Sequence, residues 1–237
     1  MPAPSTRITA MNPEAGAAGL YRLLAWTSPA FPTGAFSYSH GLEAAHAAGA
    51  VRDRASLERW VAALVTKGSG RVDADILRDA YRAAASSDHV RLADANRRGI
   101  AYRATAELAL ESGQQGAAFA AAYDAAWAAS APQSPEGEGY CHAAAFGAAA
   151  ARAGIAPADA LLAYLHAFAA NLMSAGLRLG IVGQSDGQRI LAALEPAISA
   201  AAVEALARGA GDFGAATFAA DLASMAHETQ YSRLFRS

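Results

Sequence analysis

The most constraining feature of this sequence is an uncharged, apolar stretch within residues 157–179, PADALLAYLHAFAANLMSAGLRL. No formally charged residue lies between Ala160 and Leu177. Two neighbouring sets of positions recur at spacings of three and four, which places each set on one side of an α-helix. The first set is Leu161, Leu165, Phe168, Leu172, Ala175 and Leu179, and the second is Leu162, His166, Ala169, Met173 and Gly176. The stretch therefore predicts a helix that is surrounded by protein or by lipid.

A helix of this length could just cross a bilayer, since each residue adds about 1.5 Å. Its composition argues against a membrane span. His166 and Asn171 lie near its middle, alanine outnumbers leucine, and the flanks lack aromatic belts and basic clusters. We therefore predict the central helix of a soluble helical domain that has no membrane partner.

The remainder of the chain also carries the signals of helices. Asn12, Pro13 and Glu14 have the pattern of a helix start, and Asp88 can cap a later helix. No stretch of alternating β-branched residues occurs. These patterns predict an all-α fold, a single helical domain of about ten helices around the central apolar helix.

Glycine and proline indicate where helices should be interrupted. Gly113 and Gly116 are expected to break or bend a long helical pattern that runs from Ile100 to about Ala129. Pro196 is expected to break a later helix or to begin a new one. The predicted organisation is an unstructured lead-in at residues 1–14, a helical domain at 15–228 with a loop at 130–139, and a C-terminal tail at 229–237.

The composition excludes several classes of function. The net charge of −2 gives no electrostatic basis for binding nucleic acid or acidic lipid. The single cysteine, Cys141, excludes an intrachain disulfide framework and is typical of a reducing compartment. Charged residues make up only 17% of the chain. A surface with so few charges fits either a partner that covers part of it or an alanine-rich composition alone.

No motif assembles an active site or a preformed metal site. Residues 66–69, TKGS, lack the first glycine of a phosphate-binding loop. His40 and His46 diverge on a helix, so they do not have ligand spacing. Glu107 and Arg103 fit a solvated ion pair better than an acid/base pair. We predict no catalytic residue and no metal ligand.

Two segments combine aromatic, hydroxyl and charged side chains without an evident need for chemistry. They are residues 36–43, FSYSHGLE, and residues 231–237, YSRLFRS. Tyr, Phe and Arg are enriched at protein interfaces. The glycine-rich turn at residues 183–187 fits either an anion cradle or, more commonly, a helix start that Asp186 caps. The residues therefore favour an interaction protein over an enzyme.

In these same segments the sequence resembles the UreF family of urease accessory proteins. The markers are FSYSHGLE at 36–43, Trp60 with Asp73, ELALESGQQG at 107–116, RLGIVGQSDGQ at 178–188 and SMAHETQYSRLFRS at 224–237. The resemblance covers about residues 20 to 237. Three departures are small: residues 180–182 lack the usual proline, His40 often reads Gln, and Ala226 often reads Arg.

The resemblance implies a non-enzymatic, all-helical protein that acts in urease maturation in the cytoplasm. It implies a homodimer that binds a UreD/UreH-type accessory protein and, with it, recruits a UreG-type GTPase to deliver nickel into apo-urease, regulating or gating GTP hydrolysis. No tightly bound cofactor is implied. Two alternatives stay open: a metallochaperone that holds nickel through His and Cys, and a small helical enzyme with a pocket of titratable groups with perturbed pKa.

The resemblance also implies where partners bind. Glu43 and Arg178 are expected to face the GTPase rather than to serve folding, with Arg178 organising a partner surface instead of acting as an arginine finger. The apolar side chains of the tail must dock either on the protein's own body or on a partner, and the resemblance favours the UreD-type partner. The tail is therefore expected to be disordered or loosely packed in the free protein and to order in the complex. The predicted partner-binding residues are Tyr38, Ser39, Glu43, Arg178, Gln184, Asp186, Tyr231, Arg233, Leu234, Phe235, Arg236 and Ser237.

Overall fold

The structure is a computed structural model that describes residues 13–127 and 139–237. All regular elements in these residues are helical, which confirms the all-α fold class. The α-helices are α1 (Pro13–Trp26), α2 (Leu42–Ala47), α3 (Arg54–Lys67), α4 (Ser69–Ala85), α5 (His89–Ala101), α6 (Ala106–Ala126), α7 (His142–Arg152), α8 (Pro157–Arg178), α9 (Gln184–Ala207) and α10 (Phe218–Glu228). Two short 3-10 helices lie at Ala35–Ser37 and Ala210–Asp212.

Capping side chains explain where three of the helices begin. Asp53, Asp88 and Thr105 each accept a hydrogen bond from the backbone N–H three residues further on, at the starts of α3, α5 and α6. Such a bond satisfies one of the N–H groups that a first helical turn leaves free. The prediction that Asp88 caps a helix is confirmed. The predicted lead-in and the loop at 130–139 lie mostly outside the described residues, although α1 already begins at Pro13.

The predicted helix breaks at glycine and proline are wrong. α6 runs continuously through Gly113 and Gly116, and α9 runs through Pro196. Proline removes a hydrogen bond to the residue four positions earlier. Here that residue, Ala192, is exposed, as is Pro196 itself, so water can reach the carbonyl oxygen. Leu194 and Ile198 are buried on the other side of α9 and hold it against the core.

α8 buries the first of its two predicted faces. Leu161, Leu165 and Leu172 are at most 1% exposed. The second face is buried only towards its C-terminal end, because Leu162 is 42% exposed and His166 is exposed. The expectation that protein surrounds both faces is therefore wrong for the first two turns. α8 and α9 are both long and apolar enough to cross a membrane by length and composition, criteria that core helices also meet.

α7 is enclosed more completely than α8. Its residues 143–150, AAAFGAAA, are all buried. Small side chains allow close approach, and a Cβ on Gly147 would collide with the carbonyl oxygen of Leu77 in α4. α4 and α7 therefore pack backbone to backbone, and α8 lies beside them in the same hydrophobic core.

Candidate partner-binding site

Two segments that are almost two hundred residues apart in sequence lie against each other. The backbone N–H of Arg236 donates to the carbonyl oxygen of Ser37 at 2.8 Å. The backbone N–H of Ser39 donates to the carbonyl oxygen of Ser237 at 3.0 Å, and the Ser39 hydroxyl donates to the same oxygen. The FSYSHGLE segment at 36–43 therefore forms the surface on which the C-terminal tail lies.

A left-handed turn gives the FSYSHGLE segment its shape. His40 and Gly41 have φ values of 58° and 76°, a conformation that glycine adopts readily. A Cβ on Gly41 would lie 2.8 Å from the backbone nitrogen of Ser224, so α10 packs directly on this turn. The turn ends where α2 begins, and Ser39 and Glu43 consequently point towards the tail.

Glu43 is buried and binds the tail backbone. It is 7% exposed. Its Oε1 accepts a hydrogen bond from the N–H of Leu234 at 2.7 Å, and its Oε2 accepts one from the N–H of Phe235 at 2.9 Å. Glu43, which was expected to face the GTPase rather than to serve folding, does not face solvent in the free chain. Its carboxylate serves the fold of the tail.

His227 connects Glu43 to a second carboxylate. The ring is fully buried. Its Nε2 lies 3.3 Å from Glu43 Oε2, and its Nδ1 lies 2.6 Å from Glu107 Oε2. Arg233 of the tail donates to the other oxygen of Glu107 at 2.5 Å. The two carboxylates, the imidazole and the guanidinium form one polar cluster between α2, α6, α10 and the tail.

The end of the tail is anchored by a ring and by a hydroxyl. Phe235 is 3% exposed, and the Arg178 guanidinium lies 4.3 Å from the centre of its ring. Arg178 also donates to the carbonyl oxygen of Phe36. The Ser237 hydroxyl donates to Glu111 at 2.7 Å. The expectation of a loosely packed tail is therefore wrong for this part, because α2, α6 and α8 supply partners for its polar groups and its ring.

Other predicted residues of the tail face outward. Tyr231 is fully exposed and Leu234 is 62% exposed. Arg236 is exposed and lies 5.9 Å from the ring of Tyr38. Tyr38 itself is buried, and its hydroxyl donates to Gln114 at 2.5 Å. The tail thus presents an outer side to solvent and an inner side to the body.

Gln184 and Asp186 are not brought into this cluster. Both lie in the first turn of α9, which begins after Gly183 without a side-chain cap. Asp186 pairs with Arg189 at 2.8 Å, so the interpretation of Asp186 as the cap is wrong. An acidic side chain in the first turn still favours the helix, because it faces the positive end of the helix dipole.

Sequence reasoning missed Glu107 and Glu111 as tail contacts, and it missed His227 as the residue that connects Glu43 to Glu107. Glu107 and Glu111 are one turn apart on α6, and both carboxylates point at the tail. The expected solvated pair of Glu107 with Arg103 is wrong, because Arg103 is buried and pairs with Asp73. A signal was present in the sequence. Glu107 and Glu111 lie on the same helix face as the QQG motif, and the tail carries arginines that two acids could bind.

A cavity of about 260 Å³ lies beside the cluster, below the loop that follows α1 and between α6 and α8. Its lining includes Asp73, Arg103, Tyr164 and His142. Burial lowers the pKa of His142 to about 4 and raises the pKa of Tyr164 well above its usual value. Perturbed groups in a pocket are what a helical enzyme would need.

Asp73, at the centre of these groups, is bound by two neighbouring side chains rather than left free to act as a base. Tyr164 donates to Asp73 at 3.0 Å, and Arg103 donates to the same carboxylate at 2.5 Å. The Ser112 hydroxyl has no hydrogen-bond partner, so no base activates it. None of the hydroxyl groups in the described lining is hydrogen-bonded to a histidine. The arrangement fits a structural polar network better than an acid/base site.

No group of three or more His, Cys, Asp or Glu side chains in residues 13–127 and 139–237 is arranged to hold a metal ion. Burial raises the pKa of the Cys141 thiol to about 11. The thiolate is the form that binds metal, so this thiol is a poor ligand at neutral pH.

The chain is similar to known proteins over almost its whole length. The family model UreF matches residues 51–195. The urease accessory protein UreF of Bradyrhizobium sp. (strain BTAi1) is 45% identical, over 97% of this chain and 97% of its own length. Those of Granulibacter bethesdensis and Rhodopseudomonas palustris (strain HaA2) are each 47% identical, over 94% and 96% of this chain and 95% and 97% of their own lengths. The chain therefore belongs to the UreF family of urease accessory proteins.

Proposed function

We propose that this urease accessory protein is a cytoplasmic, non-enzymatic assembly factor. It binds a UreD/UreH-type accessory protein through its C-terminal surface and, as a homodimer in that complex, recruits a UreG-type GTPase for nickel delivery into apo-urease. The observation that carries the proposal is the outer side of the tail, where Tyr231 and Leu234 are held in solvent by an anchored backbone.

The helix before the tail supports a binding surface of this kind. Phe218, Leu222 and Met225 recur at spacings of four and three on α10 and are 81%, 58% and 48% exposed. Exposed apolar stripes of this kind mark interaction sites. Large aromatic and aliphatic side chains that a rigid backbone presents also lose little entropy on binding. We therefore place the UreD-type partner on α10 and the tail.

The position of Arg178 supports control of the GTPase by shaping a protein surface rather than by direct chemistry on the bound nucleotide. An arginine finger must reach a bound nucleotide. Arg178 instead packs over Phe235 and binds the Phe36 carbonyl oxygen. It organises the surface that the GTPase would meet.

The sharpest test is the double substitution Tyr231→Ala and Leu234→Ala. Both side chains are exposed, so the fold should keep its thermal midpoint, whereas deletion of residues 229–237 would also remove the buried Phe235. We expect affinity for the UreD-type protein to fall about tenfold or more, as for interface hot spots. Nickel occupancy of co-expressed urease should fall with it.

Val203→Ala on α9 is the matched control, because Val203 is 66% exposed and lies outside the proposed surface. Unchanged affinity of the double variant would contradict the proposal. A tight, stoichiometric nickel site in the purified protein would instead support the metallochaperone alternative.

A further inference from the structure

Two backbone N–H groups converge on the carboxylate of Glu43, one on each of its oxygens. They belong to Leu234 and Phe235, at 2.7 and 2.9 Å, and the Nε2 atom of His227 lies 3.3 Å from the second oxygen. A carboxylate offers two acceptor oxygens and no donor. A glutamine of the same shape would turn its NH₂ group towards one of these N–H groups. The site therefore requires a carboxylate and not merely a polar side chain.

The two tail residues that Glu43 holds have opposite exposures. Phe235 is buried under Arg178, while Leu234 is 62% exposed. Fixing both backbone N–H groups therefore determines which of the two side chains faces inward. A shift of the tail by one residue would place Leu234 under Arg178 and turn the ring of Phe235 to solvent.

The surroundings of Glu43 keep its carboxylate in place. The backbone N–H of Glu43 donates to the Ser39 hydroxyl oxygen at 3.3 Å, and Ser39 also binds Ser237. On the other side, the fully buried His227 lies between Glu43 and Glu107. Glu43 is thus attached through its backbone to the turn before α2 and through its carboxylate to α10.

We propose that Glu43 is a positioning residue that sets the register of the C-terminal tail and so determines which side chains the tail presents to its protein partner. The inference rests on the proposed function, in which the outer side of the tail docks onto the UreD-type protein. A tail that is already ordered loses less conformational entropy on binding than one that must order in the complex. Glu43 would therefore control affinity without touching the partner.

The test compares Glu43→Gln with Glu195→Gln in the full chain. Glu195 is an exposed glutamate on α9. We expect Glu43→Gln to speed hydrogen exchange of the Leu234 and Phe235 amides by about tenfold or more, as expected for local opening. Affinity for the UreD-type protein should fall by about tenfold, and Glu195→Gln should change neither quantity. Glu43→Asp, which is one methylene shorter, is the second variant and should show the same direction of change if Glu43→Gln does not fold.

Two results would overturn the inference. One is unchanged exchange of the two amides in a folded Glu43 variant. The other is faster exchange with unchanged affinity, provided that Tyr231→Ala with Leu234→Ala lowers affinity in the same assay. Should that surface variant bind normally, the proposed docking surface fails instead, so the two failures can be told apart.

Discussion

Gly113 and Gly116 lie within one turn of each other on α6, yet their surroundings differ. A Cβ on Gly116 would collide with the carbonyl oxygen of Tyr140, whereas a Cβ on Gly113 would meet nothing within 4 Å. Both glycines predict a helix break from sequence, because glycine is a poor helix former. The close approach of another segment to Gly116 cannot be read from the local sequence. At this scale, therefore, residue type alone predicted the wrong role.

The two glycines form a matched pair for a stability measurement. Gly116→Ala should lower the free energy of unfolding by about 1–3 kcal/mol or more, because the collision is with backbone and cannot be relieved by a rotamer change. Gly113→Ala should raise it by about 0.5–1 kcal/mol, because alanine is the better helix former. Urea unfolding of both variants provides the comparison. Equal effects of the two changes would contradict this account of α6.

Helix positions were predicted well where local signals exist and poorly where packing decides. Asp88 and the periodic leucines of α8 correctly indicated a cap and a buried face. Pro196 wrongly predicted a helix break, because its position on the exposed side of α9 depends on which side of the helix packs against the core. The enclosure of α7 was also not predictable. A run of alanines has no polar side, and only its neighbours decide whether it is surrounded.

The two faces of α8 can be distinguished with one substitution on each. Leu172 is 1% exposed, so Leu172→Ala should cost about 2–5 kcal/mol, the usual range for emptying a buried leucine site. Leu162 is 42% exposed, and Leu162→Ala should cost less than about 1 kcal/mol. Both losses of stability can be measured from the midpoints of denaturant unfolding, provided that the dependence of the unfolding free energy on denaturant is the same in both variants. A loss below about half a kcal/mol for Leu172→Ala would place this face on the surface.

Over the whole molecule, several of the motifs that carry the resemblance converge on one place. The FSYSHGLE segment, the acids of α6, Arg178 and the tail contact one another directly. The sequence predicted these segments as functional, but it did not predict that they bind one another. Their pairing depends on complementary hydrogen-bond groups that are far apart in the chain, and no local periodicity encodes such a match. The binding of the inner side of the tail to the body was therefore not predicted, while its outer side stays a proposed interface.

Anchoring of the tail by Phe235 predicts how the free protein responds to trypsin. Arg233 lies in the tail and is bound to Glu107, so cleavage after it requires local opening. Phe235→Ala removes the ring that Arg178 covers and should speed loss of residues 234–237 by about tenfold or more, as local opening becomes easier. The rate is measured by intact mass spectrometry, with helical circular dichroism to show that the body stays folded.

Tyr231→Ala is the control, because that side chain is fully exposed and should leave the rate unchanged. The cleavage rates are corrected for the intrinsic preference of trypsin by measuring synthetic peptides of residues 229–237 that carry each of the sequences. Equal cleavage of the wild type and Phe235→Ala after this correction would mean that the buried ring does not hold the tail.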